Sequence, residues 1–206
     1  MPSGPGVIGD DRIADIAAAM RDTPLRSFLL TSRTTADTIA AQHAAAGTTT
    51  LQLVDHVPHA ELRRLRTLCP GVELVQVIHV TGETSIDEAV AVAPYVDAIL
   101  LDSGNPALAV KQLGGTGRTH DWALSRRIRD AVAPLPLWLA GGLRPHNVGQ
   151  AIAAVRPHGL DLCTGVRRDG RLDAALLADF MAAVVVATAA AGTAAGVAAP
   201  SPRYQS

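Results

Sequence analysis

The run Ala98-Ile-Leu-Leu-Asp102 ends on a carboxylate. A carboxyl group at the rim of an apolar surface is partly desolvated, which raises its pKa and suits it to general-acid work. An Asp that follows a strand also serves as a helix N-cap or a loop tether, and position alone does not separate the two readings. Two later runs end in Gly141-Gly142 and Thr164-Gly165, and a loop between them and Asp102 carries Gly114-Gly-Thr-Gly117. Glycine lets backbone N–H groups come close to an anion. Each pair by itself could make only a tight turn. Three glycine-bearing loops together favour a phosphate site.

These residues need elements to position them. Six short apolar runs rich in strand formers lie at residues 25–30, 49–54, 73–78, 97–102, 136–141 and 160–165. Their starts recur every 24 residues except for one interval of 39, which holds the Gly-rich loop around Gly115. Such a period marks a repeated supersecondary unit. Between the runs, Ala36, Ile39, Ala40 and Ala44 have helical spacing, as do Leu62, Leu65 and Leu68, then Ile86, Val90 and Ala93, then Val148, Ile152 and Val155. Thr34 is expected to cap the first of these helices, Pro58 to open the second, and Ser85 to precede the acidic start of the third. Residues 172–186 read as a closing helix, and the Ala/Gly-rich stretch 188–206 as a disordered tail. Strand–helix units at this spacing demand parallel strands with helical crossovers. An open doubly wound sheet and a (β/α)₈ barrel both fit the spacing.

Composition narrows the function. With 18 Lys and Arg against 19 Asp and Glu and no basic stripe, neither nucleic acid nor a membrane surface is an expected partner. Aromatics at 3% leave no platform for stacking bases. Cys69 and Cys163 form no CxxC, and the seven histidines join them in no metal-ligand cluster, so no metal is expected. The apolar stretch 181–200 is mostly Ala, Gly and Thr, too small to favour a membrane span. No basic-then-apolar leader is visible, and a cytoplasmic location is expected.

Four blocks then stand in order: Leu101-Asp-Ser103, Gly114-Gly-Thr-Gly-Arg-Thr-His-Asp-Trp122, Leu139-Ala-Gly-Gly-Leu-Arg-Pro-His-Asn-Val148 and Asp161-Leu-Cys-Thr-Gly-Val166. In order and spacing they resemble the phosphoribosylanthranilate isomerase family of tryptophan synthesis. That family shows a strand ending in Asp, a GGTG loop with a following Asp-Trp turn, an LAGGL-x-P-x-N-V block and a D-V-x-S-G-V block. The resemblance spans residues 3–184 and is dense from Ala98 onward. It implies a (β/α)₈ barrel and an Amadori rearrangement of a small phosphorylated substrate, with no cofactor. Asp102 then resembles the general acid, and the backbone at Gly115, Gly141, Gly142, Thr164 and Gly165 the phosphate cradle. Asp121 and Trp122 would brace the loop, and a homodimer is the one protein assembly considered.

The sequence also departs from the family. The family's opening strand, K-x-C-G with a Cys general base, does not occur here. The six runs match family strands three to eight, so a single barrel domain over residues 1–187, lacking two units, is expected, with Met1 an internal methionine. Pro5-Gly6 stands where the family has Ser-Pro-Arg, Gln52-Leu-Val-Asp55 where it has Gln-Leu-His-Gly, and Arg167 where a Glu is usual. As alternative bases, Cys163 reads as strand packing, Cys69 as a helix end, and His79 and Asp55 as rim residues. The competing function is an inactive barrel that binds a sugar phosphate as a sensor or regulator.

Overall fold

The computed structural model describes residues 7–103 and 121–192. Six strands form one parallel sheet in chain order: β1 (Phe28–Thr31), β2 (Thr50–Leu53), β3 (Glu73–His79), β4 (Ala98–Asp102), β5 (Leu137–Leu139) and β6 (Gly159–Leu160). The crossovers are α2 (Ala36–Ala46), α3 (His59–Leu68), α4 (Thr84–Val92), α5 (Trp122–Val132) and α6 (Val148–Val155). Helix α1 (Asp10–Met20) precedes the sheet, and α7 (Ala174–Gly192) follows a small antiparallel hairpin of β7 (Arg167–Arg168) and β8 (Arg171–Leu172). The described residues thus form a partial (β/α) barrel.

Side chains on a strand alternate between two faces, and here the faces meet different cores. Leu51, Leu53, Leu74, Ile78, Ile99, Leu101, Leu137 and Leu139 point outward and pack with Ile39, Leu62, Leu65, Ile128, Val148 and Val155 of the helices. Val75, Val77, Ala98, Leu100 and Ala140 point inward and form a second, smaller core with Phe28 and Trp138. The Phe28 and Trp138 rings meet edge-on with centroids 5.9 Å apart, so the sheet curls far enough for β1 to touch β5 across the interior. Gly159 makes room for that indole, since a Cβ there would lie 2.6 Å from two of its ring carbons.

Several expectations are corrected. The first strand starts at Phe28 rather than at residue 25; just before it Ser27 and Thr49 exchange side-chain bonds, Ser27 N–H to Thr49 Oγ1 at 3.0 Å and Thr49 N–H to Ser27 Oγ at 3.1 Å, beside the backbone bond from Thr50 N–H to the Ser27 carbonyl. The last strand stops at Leu160, and Thr164–Val166 forms a 3₁₀ turn where strand was expected. Helix α1 was not anticipated, although Asp10 and Asp11 in its first turn complement the helix dipole. Leu68 and Val90, assigned to buried stripes, are 46% exposed, and Cys69 and Ala89 are buried instead. Thr34 does not cap α2; the N-cap position is Thr35, and Glu61 of α3 accepts from the Ala36 N–H at 2.6 Å. Ser85 lies inside α4, where its hydroxyl accepts from Thr81 N–H and donates to the His79 carbonyl.

The closing helix also runs further than residues 172–186, continuing through 188–192 of the expected tail. It lies against α6, burying Phe180 and packing Leu176, Leu177, Val184 and Ala187 on the outer core, while Met181, Val185 and Val186 stay exposed. By length and composition alone, Ala174–Ala191 is apolar enough to cross a membrane.

The fit of Gly159 to Trp138 sets a first test. Gly159→Ala is expected to lower stability by about 1–3 kcal/mol through overpacking, read as a lower urea midpoint at unchanged m. Adding Trp138→Val should recover part of the loss.

Candidate functional site

The site is built where the strands end. His79 and Asp102 are register partners on β3 and β4, and the Val80 N–H donates to the Asp102 carbonyl at 2.9 Å. The Ala140 N–H donates to the Leu101 carbonyl at 2.7 Å, and the Asp161 N–H to the Leu139 carbonyl at 2.9 Å. Alternation from the inward residues Val77, Leu100 and Trp138 places His79, Asp102 and Ala140 on the interior face at the rim. Leu160 packs in the outer core, so Asp161 faces inward with them.

Asp102 is buried to 7% exposure, and one of its oxygens accepts from the Ser103 N–H at 2.8 Å. The residue is thus buried, with one carboxylate oxygen held by the next backbone amide. Asp161 stands directly after β6, within the block Asp161–Val166. Burial pushes its carboxyl up, the neighbouring charge of Asp102 pushes it further, and the Leu162 N–H pulls the other way. The signal for it was the same as for Asp102, an Asp directly after an apolar strand residue. His79 holds its Nε2 at 3.2 Å from the Val54 carbonyl, while its Nδ1 is buried without a partner. Ser103 Oγ is likewise buried and unpartnered. Unpaired polar atoms are costly in a protein interior, and two of them stand at the rim.

The glycine loops pack on each other beside these groups. Gly141 and Gly142 both take left-handed backbone, φ 86° and 63°, and a Cβ on Gly141 would lie 2.7 Å from Ser103 Oγ. Asn147 fastens this loop by donating from Nδ2 to the Gly142 carbonyl at 3.0 Å and accepting from the Arg144 N–H at 2.8 Å. Gly165 backs onto the Leu143 carbonyl so closely that no Cβ fits between them. Among the described residues, the N–H groups of Gly142, Thr164 and Gly165 donate to no protein acceptor. Free amides gathered from two loops suit an anion.

Gly115 and the rest of the GGTG loop lie outside the described residues. Asp121 is the N-cap of α5, accepting from Ala123 N–H at 2.8 Å and Leu124 N–H at 3.3 Å; the loop it was expected to brace lies outside the described residues. Cys163 is corrected from strand packing to an exposed loop residue, and Cys69 is buried, which pushes its thiol up. Among the described residues no group of three or more His, Cys, Asp or Glu could hold a metal ion.

A family model described as N-(5′-phosphoribosyl)anthranilate isomerase matches residues 31–183. An N-(5′-phosphoribosyl)anthranilate isomerase of Methanocella arvoryzae is 41% identical over 134 residues, 65% of this chain and 60% of its own length. One of Thermosynechococcus vestitus is 32% identical over 184 residues, 87% of this chain and 76% of that one. The chain thus spans 60% of the first relative and about three quarters of the second. Among solved structures, phosphoribosylanthranilate isomerase from Thermotoga maritima superposes with TM-score 0.74 at 23% identity, covering 90% of this chain and 84% of that one. The enzyme from Thermococcus kodakaraensis gives TM-score 0.66 at 29% identity, over 84% and 80%.

The raised carboxyl of Asp161 has a consequence for stability. A carboxyl whose folded pKa exceeds its ordinary value, 3.8, binds more proton in the folded state, so stability falls as pH climbs from there through the raised value. Asp161→Asn removes that fall. The variant is expected to melt higher than the parent at neutral pH, with the difference gone in acid below the ordinary value; calorimetry against pH reads it.

Proposed function

The chain belongs to the N-(5′-phosphoribosyl)anthranilate isomerase family, and we propose that its rim performs that family's reaction. The reaction is the Amadori rearrangement of N-(5′-phosphoribosyl)anthranilate to 1-(2-carboxyphenylamino)-1-deoxyribulose 5-phosphate, a step of tryptophan synthesis. The six β/α units would be the last six of a (β/α)₈ barrel. The order of Asp102, Gly141-Gly142 and Thr164-Gly165 at the end of β4 and on the loops after β5 and β6 supports that alignment.

The observation that carries the reading is the meeting of a buried, oriented Asp102 with two glycine loops that leave amides free beside it. A phosphate on the amides of Gly142, Thr164 and Gly165 would anchor the sugar. Asp102 would then give a proton to the furanose ring oxygen as the C1–O bond breaks and the anthranilate nitrogen forms an iminium. Loss of the C2 proton yields an enolamine, which tautomerises to the ketone. The described residues single out no base for that second proton. Anchoring at the phosphate while the acid acts elsewhere on the sugar is the use of remote binding energy that lowers the barrier at the reacting bond.

Asp102→Asn is expected to reduce kcat/KM by about 10²–10⁴, the worth of a positioned acid, and to abolish growth support of a tryptophan auxotroph. Equal growth with Asn would remove the acid assignment. Gly165→Ala should raise KM far more than it lowers kcat, because its Cβ displaces the Leu143 carbonyl and opens the cradle. Binding of the phosphorylated product by the parent chain without turnover would instead favour a sugar-phosphate-binding barrel.

A further inference from the structure

The amides of Gly142, Thr164 and Gly165 are uncharged, whereas a phosphate monoester carries close to two negative charges at neutral pH. A dianion held by amides alone keeps most of its charge, so the side chains around the cradle matter. Two arginines flank these loops. The Cα of Arg144 lies 3.5 Å from where a Cβ on Gly165 would stand, so its side chain springs from the cradle wall. Arg167 ends the 3₁₀ turn Thr164–Val166, two residues after Gly165 and thus within about 7 Å of it.

Both residues are exposed, and among the described residues neither enters an ion pair. Arg144 is fixed by its backbone, whose N–H donates to Asn147 Oδ1, and Arg167 gives Nη1 alone to the Gly170 carbonyl at 3.3 Å. The rest of the hairpin differs. Arg168 pairs with Asp173 at 2.8 Å, and Asp173 also accepts from the Ala175 and Leu176 amides at the start of α7. Arg171 stands opposite Arg168 in the hairpin register, and Asp169 lies exposed at its turn. On the inner side, burial pushes the Asp161 carboxyl up, toward its neutral form. Across the mouth, Glu83 is committed to Arg127, Glu88 to His56, and Arg33 to Gln42. Exposed guanidinium charge without a carboxylate partner thus stands beside the phosphate amides.

Resting on the cradle reading, we propose that Arg144 and Arg167 are its charged arms: they draw a phosphate monoester to these loops and hold its dianion against the amides. A guanidinium offers a planar fork that meets two phosphate oxygens at once, and it is more weakly hydrated than an ammonium. An arm rooted within one Debye length, about 8 Å at physiological salt, acts on the ligand before contact as well as after it. The amides then set orientation and the arginines supply charge. A dianion outcompetes the single carboxylate at the other end of the substrate, so the arms fix which end settles over β5 and β6.

The test titrates the 206-residue chain with the phosphorylated product and its dephosphorylated form, by calorimetry at low and physiological salt. Arg144→Gln and Arg167→Gln should each weaken the phosphorylated product about tenfold at low salt, the worth of one charge-assisted hydrogen bond. Arg167→Glu should weaken it further, and the dephosphorylated form should bind every variant as it binds the parent. In the double Gln variant, affinity should fall less steeply with salt than in the parent. Arg156→Gln removes the same charge after α6, at the opposite end of the sheet, and should bind like the parent. Parent-like affinity and salt dependence in the double Gln variant would overturn the arms. So would an equal loss for the dephosphorylated form, or a parent that holds neither form. The isomerase reading fails separately, if arginine-dependent binding comes with no turnover.

Discussion

Two backbone hydrogen bonds at the end of the sheet, Ala140 to Leu101 and Asp161 to Leu139, hold the rim in register. A strand slipped by one residue would turn every side chain to the opposite face, sending Asp102 among the helices and Leu101 into the mouth. That slip is opposed from outside. Leu101, Leu139, Ile128 and Val148 are fully buried between sheet and helices, so the outer apolar core selects the register. The carboxyls are placed by leucines that never meet the site.

What the outer layer gains in packing, the rim gives up in part. Paired left-handed glycines, the unpartnered atoms of His79 and Ser103, and the raised carboxyl of Asp161 all gather at one end of the sheet. Each is a local departure from the rule that buried polar groups be satisfied. Elsewhere Asp97 accepts from Leu74 N–H and Arg66 together, and Gln76 Nε2 donates to three carbonyls while its Oε1 is buried without a partner. Buried atoms without a partner also occur on α5, at Trp122 Nε1 and Arg129 Nε, so the rim is set apart by its paired left-handed glycines and raised carboxyl rather than by unsatisfied atoms alone.

Much of this could be read from the sequence, and the parts that could not share a cause. The 24-residue period and the alternation of strand and helix survive because hydrophobic spacing is local. Asp102 and the glycine pairs were visible because each stands at a strand end, and a strand end is a local signal. Asp161 was not singled out because its place beside Asp102 follows from the sheet order, which no local pattern reveals. On α4, Ile86 and Ala93 pack on the core as expected while Val90 faces solvent, and Ser85 is buried because its hydroxyl bonds the His79 carbonyl, a contact that hydrophobic spacing does not signal. The last strand was overextended because Leu162 and Cys163 look like strand, while the 3₁₀ turn at Thr164 depends on Gly165 seating against Leu143 from another loop.

The interior explains why the chemistry sits at this end. Along β5 the inward positions are Trp138 and Ala140, two residues apart on one face. Trp138 fills the lower interior, reaching Phe28 on β1 and His158, with Gly159 stripped of a side chain to admit it. One step higher the ring is replaced by a methyl, flanked by Asp102 and Asp161 on either side. A larger residue at 140 would crowd the rim between them, and a smaller one at 138 would leave the floor beneath it unfilled. The change from indole to methyl across a single pleat is where packed core becomes site.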